Sequence, residues 1–289
     1  MKPAPFAYRA PADLAGALAL LGEHGDEARV LAGGQSLGPM LNLRLARPAI
    51  VVDVNRIEAL AGITSLPGGG AAVGATTRQR SAETSTRLRS GWPALVTAIG
   101  QIGHRTIRNR GTVGGSVAHA DPAAELPAVL TALGATIIAD GPAGRREVPA
   151  ADFFVGPFTT ALLPGELLVA IGLPAPAPGT AQVWMEFSRR PGDFALVGAA
   201  VVVARDADGT CRDAALVYAG VGWTPWRARE AEQVLGDRPL TAALAAEAAA
   251  AAADACTPST DIHATAAHRT LLVETLTRRA LLRILEAGE

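Results

Sequence analysis

The chain is 289 residues long, 49% hydrophobic by a count that includes its many alanines, only 4% aromatic, and carries a formal charge of −1. That length exceeds one ordinary domain, so two domains, or a two-lobed domain with an appendage, are expected around a sizeable core. Near-neutral charge argues against a nucleic-acid binder, which needs a basic face for phosphates, and removes the electrostatic case for a membrane-surface protein.

The opening Met1-Lys2-Pro3-Ala4-Pro5 has no charged-then-apolar signal pattern. Residues 6–8 read as a short strand. A helix begins after Pro11, with Leu14, Ala17, Leu18 and Leu21 at helical spacing and Gly22 and Gly25 to end it. Residues 28–31 form a strand running into Gly33-Gly34-Gln35-Ser36, and a helical turn and a strand over 50–54 complete a β-α-β unit. Gly68-Gly69-Gly70 joins strands over 63–66 and 71–75 as a hairpin. A helix over 94–102 precedes a second glycine loop at 111–116. A helix over 123–133, a strand over 135–139 and a strand-like run over 166–173 follow. Pro174, Pro176 and Pro178 mark the clearest boundary in the chain. Beyond them, strands are expected over 182–188, 196–205 and 214–219, with a turn at 206–209. Helices over 244–255 and 271–285 close the chain. The first is an alanine run broken by Glu247 and Asp254, a helix and not a membrane span. The two cysteines, Cys211 and Cys256, fit a reducing compartment without a disulfide framework, and the cytoplasm is the expected address. Two cysteines also exclude an iron–sulfur cluster held by this chain alone through four thiolates.

Two segments carry chemistry. Ala32-Gly33-Gly34-Gln35-Ser36 and Thr112-Val113-Gly114-Gly115-Ser116 each pair adjacent glycines with a hydroxyl residue. Glycines let successive N–H groups point into one concavity and allow an anion to approach, and a hydroxyl adds a donor. One such loop grips a phosphate; two that converge suit a pyrophosphate. A lone Gly-Gly pair is more often only a tight turn, which is the reading for Gly68-Gly69-Gly70, where neither helix nor hydroxyl follows. Neither loop contains G-x-G-x-x-G or the Gly-Lys-Ser/Thr ending of a P-loop, which disfavours a Rossmann dinucleotide site and an NTPase.

Around these loops the residues resemble a known family. Ala32-Gly33-Gly34-Gln35-Ser36-Leu37, followed by Leu41-Asn42-Leu43-Arg44-Leu45-Ala46-Arg47-Pro48, is similar to the first FAD loop of the medium subunits of molybdenum hydroxylases, the xanthine dehydrogenase and carbon monoxide dehydrogenase family. The run from Ile107 through Arg108-Asn109-Arg110-Gly111-Thr112-Val113-Gly114-Gly115-Ser116-Val117-Ala118-His119-Ala120-Asp121-Pro122-Ala123-Ala124-Glu125-Leu126-Pro127 resembles the second FAD loop, and is specific at that length. Arg189-Arg190-Pro191-Gly192-Asp193-Phe194-Ala195 and Asp261-Ile262-His263 match two weaker motifs of the C-terminal part. The resemblance implies an α+β fold: a two-lobed, vanillyl-alcohol-oxidase-like FAD-binding domain over 1–175 (lobes 1–55 and 56–175), then a smaller α+β C-terminal domain over 179–289. It also implies a division of labour. A large molybdopterin-binding subunit oxidises substrate and a small subunit relays electrons through two [2Fe–2S] clusters. The FAD of this subunit passes them to an external acceptor, in what the family suggests is a dimer of heterotrimers. Flavin supplies the redox chemistry; the protein binds and tunes it.

By this resemblance Ala32, Gly33, Gly34, Gln35, Ser36 and Leu37 bind FAD from one side and Thr112, Gly114, Gly115 and Ser116 from the other, with Leu167 also in the cofactor-binding set. Glu125 falls where the family places an acid on the adenosine ribose, although an acid near a helix N-terminus is favourable for electrostatic reasons alone. Asp121 before Pro122 reads as an N-cap. His119 is either a flavin neighbour or a loop histidine, and Asp193 either a structural turn or an organiser of the C-terminal domain. Arg108 and Arg110 face cofactor phosphates or a partner, and Arg105 only solvent. Some relatives carry a lysine beside the flavin where this chain has Met185. No catalytic residue and no metal ligand are expected in this chain. Two rival readings are a stand-alone FAD oxidoreductase, which needs a substrate cap with acid–base groups, and a cofactor-free assembly subunit, against which both intact glycine motifs argue.

Overall fold

In the computed structural model, which describes residues 2–287, three principal sheets succeed one another along the chain. The first lobe contains β1 (Ala7–Arg9), α1 (Leu14–His24), β2 (Ala28–Leu31), α2 (Leu37–Asn42) and β3 (Ile50–Asp53). Its strands lie in the order β1-β3-β2, all parallel, with Ala7 and Ala28 pairing Ile50 from opposite sides. Asp13 starts α1 by accepting the Gly16 N–H at 2.8 Å, and Gly25 ends it at φ 48°. Gly22, expected to share in that stop, lies inside the helix. A glycine only weakens a helix by about 1 kcal/mol; the stop comes at Gly25, whose positive φ takes the chain out of the helix.

The second lobe runs through β4 (Ile63–Ser65), β5 (Ala71–Gly74), α3 (Gln79–Glu83), α4 (Thr86–Gly91), α5 (Pro93–Gln101), α6 (Arg105–Arg108), α7 (Val113–His119), α8 (Glu125–Ala132), β6 (Thr136–Asp140), β7 (Arg146–Pro149), α9 (Ala150–Phe153), the hairpin of β8 (Phe154–Gly156) and β9 (Thr159–Thr160), and β10 (Leu167–Leu173). Its five-stranded sheet is antiparallel in the order β4-β5-β10-β6-β7. The central strand β10 is buried on both faces. Leu167 and Val169 enter the first-lobe core beside Ala17, Leu21 and Val52, while Leu168 and Ile171 enter the second core with Leu95, Leu126 and Ile137. Sharing both cores, that strand helps fasten the two lobes.

The C-terminal part follows the proline run: β11 (Thr180–Phe187), β12 (Val197–Arg205), β13 (Cys211–Ala219), β14 (Trp226–Arg227), α10 (Arg229–Leu235), α11 (Ala242–Ala255) and α12 (Ala266–Glu286). The four strands form an antiparallel sheet in sequence order. Strand alternation divides its burial. On β12, Val197, Ala199, Val201 and Val203 join a core with α11 and α12, while Ala200 joins the second-lobe core with Trp184 and Val217. Ala245, Ala248, Ala249 and Ala252 of α11 are fully buried, so the alanine run is a close-packing face. Among the described residues no helix is long and apolar enough to cross a membrane. The α+β class and the two-lobed arrangement with a smaller C-terminal part are those the sequence predicts.

Candidate cofactor-binding site

At the end of β2 the chain turns sharply through residues 32–36 before α2 begins. Gly34 makes the turn at φ 72°, where a side chain is strained. Among the described residues, no backbone group accepts from the N–H groups of Gly33, Gly34, Gln35 or Ser36, so four successive donors stand ready. Gln35 braces the turn by donating from Nε2 to the Gly33 carbonyl at 2.9 Å. Successive unpaired N–H groups in such a turn form an anion-binding concavity.

The second motif is built differently. It is the first turn of a helix: Thr112, 2% exposed, is the N-cap of α7, and its Oγ1 accepts the Gly115 N–H at 3.1 Å. Val113 donates to Thr77 O at 2.9 Å, Gly114 to Ala75 O at 2.9 Å and Ser116 to Thr112 O at 3.2 Å. The expected pair of matched N–H cradles therefore becomes one cradle and one capped helix. Gly114 is a packing residue, since a Cβ there would come within 2.6 Å of Ala75. A Cβ on Gly115 would come within 2.6 Å of Thr112 Oγ1. Ser116 keeps a half-buried hydroxyl.

The two motifs do converge. A Cβ on Gly33 would lie 2.6 Å from the Arg110 carbonyl, and one on Gly115 would face Ala32 Cβ at 3.7 Å. Side chains that the sequence motifs do not include join them. Arg78 donates from Nη1 to Arg110 O and from Nη2 to Asn55 Oδ1, each at 2.7 Å, and Asn55 Nδ2 donates to Ala32 O at 2.8 Å and to Asp53 Oδ1 at 2.6 Å. The Tyr8 hydroxyl donates to Asp53 Oδ2 at 2.6 Å. Burial works against ionising Asp53, but the hydrogen bonds from Tyr8 and Asn55 outweigh it and hold the carboxyl below its usual range. Beside this cluster, Thr76, Thr77 and Gln79 are polar yet buried, directly after the apolar strand β5. A polar run that continues a core strand inward marks a place where backbone must be satisfied by side chains.

Glu125 begins α8 and is only 3% exposed. Burial, followed by the nearby charges of Glu186 and Asp121, pushes its carboxyl up to about 8, against a hydrogen bond from its own amide. A carboxyl held neutral gains nothing from the helix dipole, so the electrostatic explanation for an acid at this position loses its force. Glu186, on β11, is pushed up to about 7, chiefly by burial, although Trp184 Nε1 donates to it at 3.0 Å. Strand alternation turns Met185 toward the α11–α12 core and turns Trp184 toward the second lobe. Glu186, two residues from Trp184, shares that side, so the ionisable group β11 presents to the second lobe is Glu186.

Other expected residues fall elsewhere. Asp121 is not the N-cap of α8; Ala124 is, and Asp121 Oδ1 accepts the Ala123 N–H in a turn ahead of the helix. Pro122 and the turn delay the helix from the predicted 123 to Glu125. His119 ends α7 with its ring 5.2 Å from that of Phe158. Arg108 is committed to structure: its Nε lies 2.9 Å from Glu83 Oε2, and it donates to the carbonyls of Ile102 and Gly103. The Leu167 side chain fills the first-lobe core. Asp193 closes a turn by donating its N–H to Arg190 O at 3.0 Å. In that turn Gly192, at φ 88°, lies against Gly103 and His104 of the second lobe.

The row of unpaired N–H groups and the meeting of the two motifs fit a pyrophosphate-bearing cofactor, and known proteins agree. The family model described as the FAD binding domain in molybdopterin dehydrogenase matches residues 4–176, and that of the CO dehydrogenase flavoprotein C-terminal domain matches residues 182–284. The chain is 42% identical to the 6-hydroxypseudooxynicotine dehydrogenase complex subunit alpha of Paenarthrobacter nicotinovorans, across 99% of this chain and 96% of that one. It is 38% identical to the carbon monoxide dehydrogenase medium chain of Hydrogenophaga pseudoflava, across 97% of each. A solved structure of carbon monoxide dehydrogenase from Hydrogenophaga pseudoflava superposes with a TM-score of 0.94, covering 100% of this chain and 99% of that one. The chain belongs to the FAD-binding medium subunits of the molybdenum hydroxylases, the xanthine dehydrogenase and carbon monoxide dehydrogenase family. It is therefore an oxidoreductase component whose cofactor is FAD.

Proposed function

We propose that this chain collects electrons from the [2Fe–2S] clusters of a small partner subunit and passes them through FAD to an external acceptor. A molybdopterin-binding large subunit carries out the substrate oxidation, within a dimer of heterotrimers in the cytoplasm. The observation that carries this reading is the free N–H row at Gly33–Gly34–Gln35–Ser36 docked on the Thr112 helix cap, in a chain similar over nearly its whole length to subunits of such complexes. Two cysteines are too few for the clusters, so those belong to a partner.

When bound, FAD accepts electrons and releases them singly or in pairs, which suits a junction between clusters and an external acceptor. The chain's own residues bind and orient it. We assign the pyrophosphate to the N–H groups of Gly33, Gly34, Gln35 and Ser36, with Thr112, Gly115 and Ser116 on the facing side and Ala32 and Leu37 flanking. Glu125 serves the adenosine ribose as a neutral carboxyl, able both to donate and to accept. The boundary between FAD-binding and C-terminal domains is placed at the proline run, giving 1–175 and 179–289.

The test is to purify the chain alone and then reconstitute it with its small and large partners. The isolated chain should carry FAD, and that FAD should be reduced by an organic hydroxylase substrate only after the partners are added. Turnover of such a substrate by the metal-free chain with an artificial acceptor would overturn the subunit assignment in favour of a stand-alone oxidoreductase.

A further inference from the structure

We propose that Arg78 is a positioning residue for FAD: by bridging Asn55 and the Arg110 carbonyl it locks the two glycine motifs at one spacing. The inference rests on the FAD-binding reading of those motifs.

Each motif is secured within its own lobe by main-chain bonds. The first follows β2, which pairs with β3 from Ala28 to Leu31. The second is laced to the segment after β5 through Gly111 O, which accepts the Gln79 N–H, and through the Val113 and Gly114 N–H groups. Among the described residues no main-chain hydrogen bond joins residues 32–36 to residues 110–116. What crosses the junction is the van der Waals contact of Gly33 with Arg110 and Gly111, and the chain Ala32 O – Asn55 – Arg78 – Arg110 O.

The chain uses geometry that few residues supply. Arg78 spans the gap because a guanidinium donates through two Nη atoms from one rigid plane. Asn55 is the only uncharged member able to accept from Arg78 and donate to Ala32 at once, and its amide orientation is fixed by Asp53, which accepts from both its side chain and its backbone N–H. Tyr8 on β1 holds Asp53 in turn. Each of Arg78's Nη groups holds a neutral oxygen, one on either side of the seam, so what these two bonds contribute is the orientation of the loops. A lysine cannot make both bonds, and the first loop is then free to drift from the second.

The test uses the full-length chain, stripped of FAD and titrated with it, in four forms: wild type, Arg78→Lys, Asn55→Ala and the double variant. Arg78→Lys and Asn55→Ala should each raise the FAD dissociation constant about tenfold to a hundredfold. The double variant should lose little more than either alone, because both cut the same chain. The thermal midpoint of the FAD-free protein should shift by only a few degrees, and amide exchange in the FAD-free variants should rise at Gly38 and Met40, whose N–H groups are bonded to the Gly34 and Ser36 carbonyls of the first loop. Wild-type affinity in Arg78→Lys would mean that charge, and not the fork, matters, and would overturn the proposal. So would additive losses in the double variant. Unchanged exchange at Gly38 and Met40 decides against it even if a variant is too unstable to titrate. Failure of the wild-type chain to bind FAD would instead overturn the functional reading itself.

Discussion

Gly33 lies so close to Gly111 that a Cβ on it would sit 2.7 Å from the Gly111 Cα, at the seam between the two lobes. A methyl group cannot occupy that space without pushing the loops apart. Gly33→Ala is therefore expected to weaken FAD binding by about tenfold to a hundredfold, the loss of one or two hydrogen bonds to a charged acceptor. Gly69→Ala is the control. Gly69 sits in the β4–β5 turn at φ 93°, where a Cβ meets only Ala175 at 3.4 Å. That substitution strains the backbone and lowers the thermal midpoint, but leaves affinity in the folded fraction unchanged. Titration of both variants with FAD separates the outcomes; equal affinity in Gly33→Ala and wild type would show that the seam does not set the site.

The carboxyls of Glu125, near 8, and Glu186, near 7, make stability depend on pH. Both folded values exceed the ordinary carboxyl value of 4.5, so between pH 5 and 8 the folded state holds more protons than the unfolded state. Their contribution is complete below the unfolded value and is lost as pH rises through 7 and 8. The thermal midpoint of the FAD-free protein should fall from pH 6 to pH 9, and Glu125→Gln should flatten the upper part of that fall. An identical slope in the variant would place the titration elsewhere.

Because a neutral carboxyl still pairs with sugar hydroxyls, Glu125→Ala should weaken FAD binding by about tenfold, the worth of roughly one hydrogen bond. FMN has no adenosine, so its affinity should hold. Comparable losses for both cofactors would assign Glu125 to the packing of α8 against the C-terminal sheet.

Much of this fold is legible in the sequence because its long elements carry clean periodicity. The strand at Ala28–Leu31 and the alanine helix at Ala242–Ala255 follow directly from pattern. The short helices α3, α4, α6 and α7 do not, since none exceeds seven residues and a helical period needs a longer window. That is why the Thr112 motif reads as a loop when it is a capped helix. The glycines are visible in the sequence, but their reasons are not. Gly34 is needed for its backbone angle, Gly33 for the seam and Gly114 for contact with Ala75. Arg78 and Asn55 escape notice because the groups they tie together at the seam are backbone carbonyl oxygens, which no residue pattern records.

The Asp261-Ile262-His263 motif explains itself through Arg269. That arginine, 6% exposed at the start of α12, donates to the carbonyl oxygens of Leu196 and Gly220 and, at 2.8 Å, to Asp261 Oδ2. It thereby ties the loop before β12 and the end of β13 to the last helix. Asp261 is lowered to about 2, first by the Ala264 N–H, with the His263 N–H and Arg269 adding to it against the opposing effect of burial. Its folded value lies below the unfolded one, so its contribution is present above pH 4 and is lost as pH falls toward 2. Arg269→Met leaves two inward-facing carbonyls without a donor and should cost about 2–4 kcal/mol in urea unfolding at pH 7. Asp261→Asn keeps an oxygen acceptor on a half-exposed residue and should cost about 1 kcal/mol or less. The acid limb of its stability profile should also be shallower than that of wild type below pH 4. If Asp261→Asn proves as damaging as Arg269→Met, the aspartate and not the arginine organises this corner, and the carbonyl contacts of Arg269 are incidental to it.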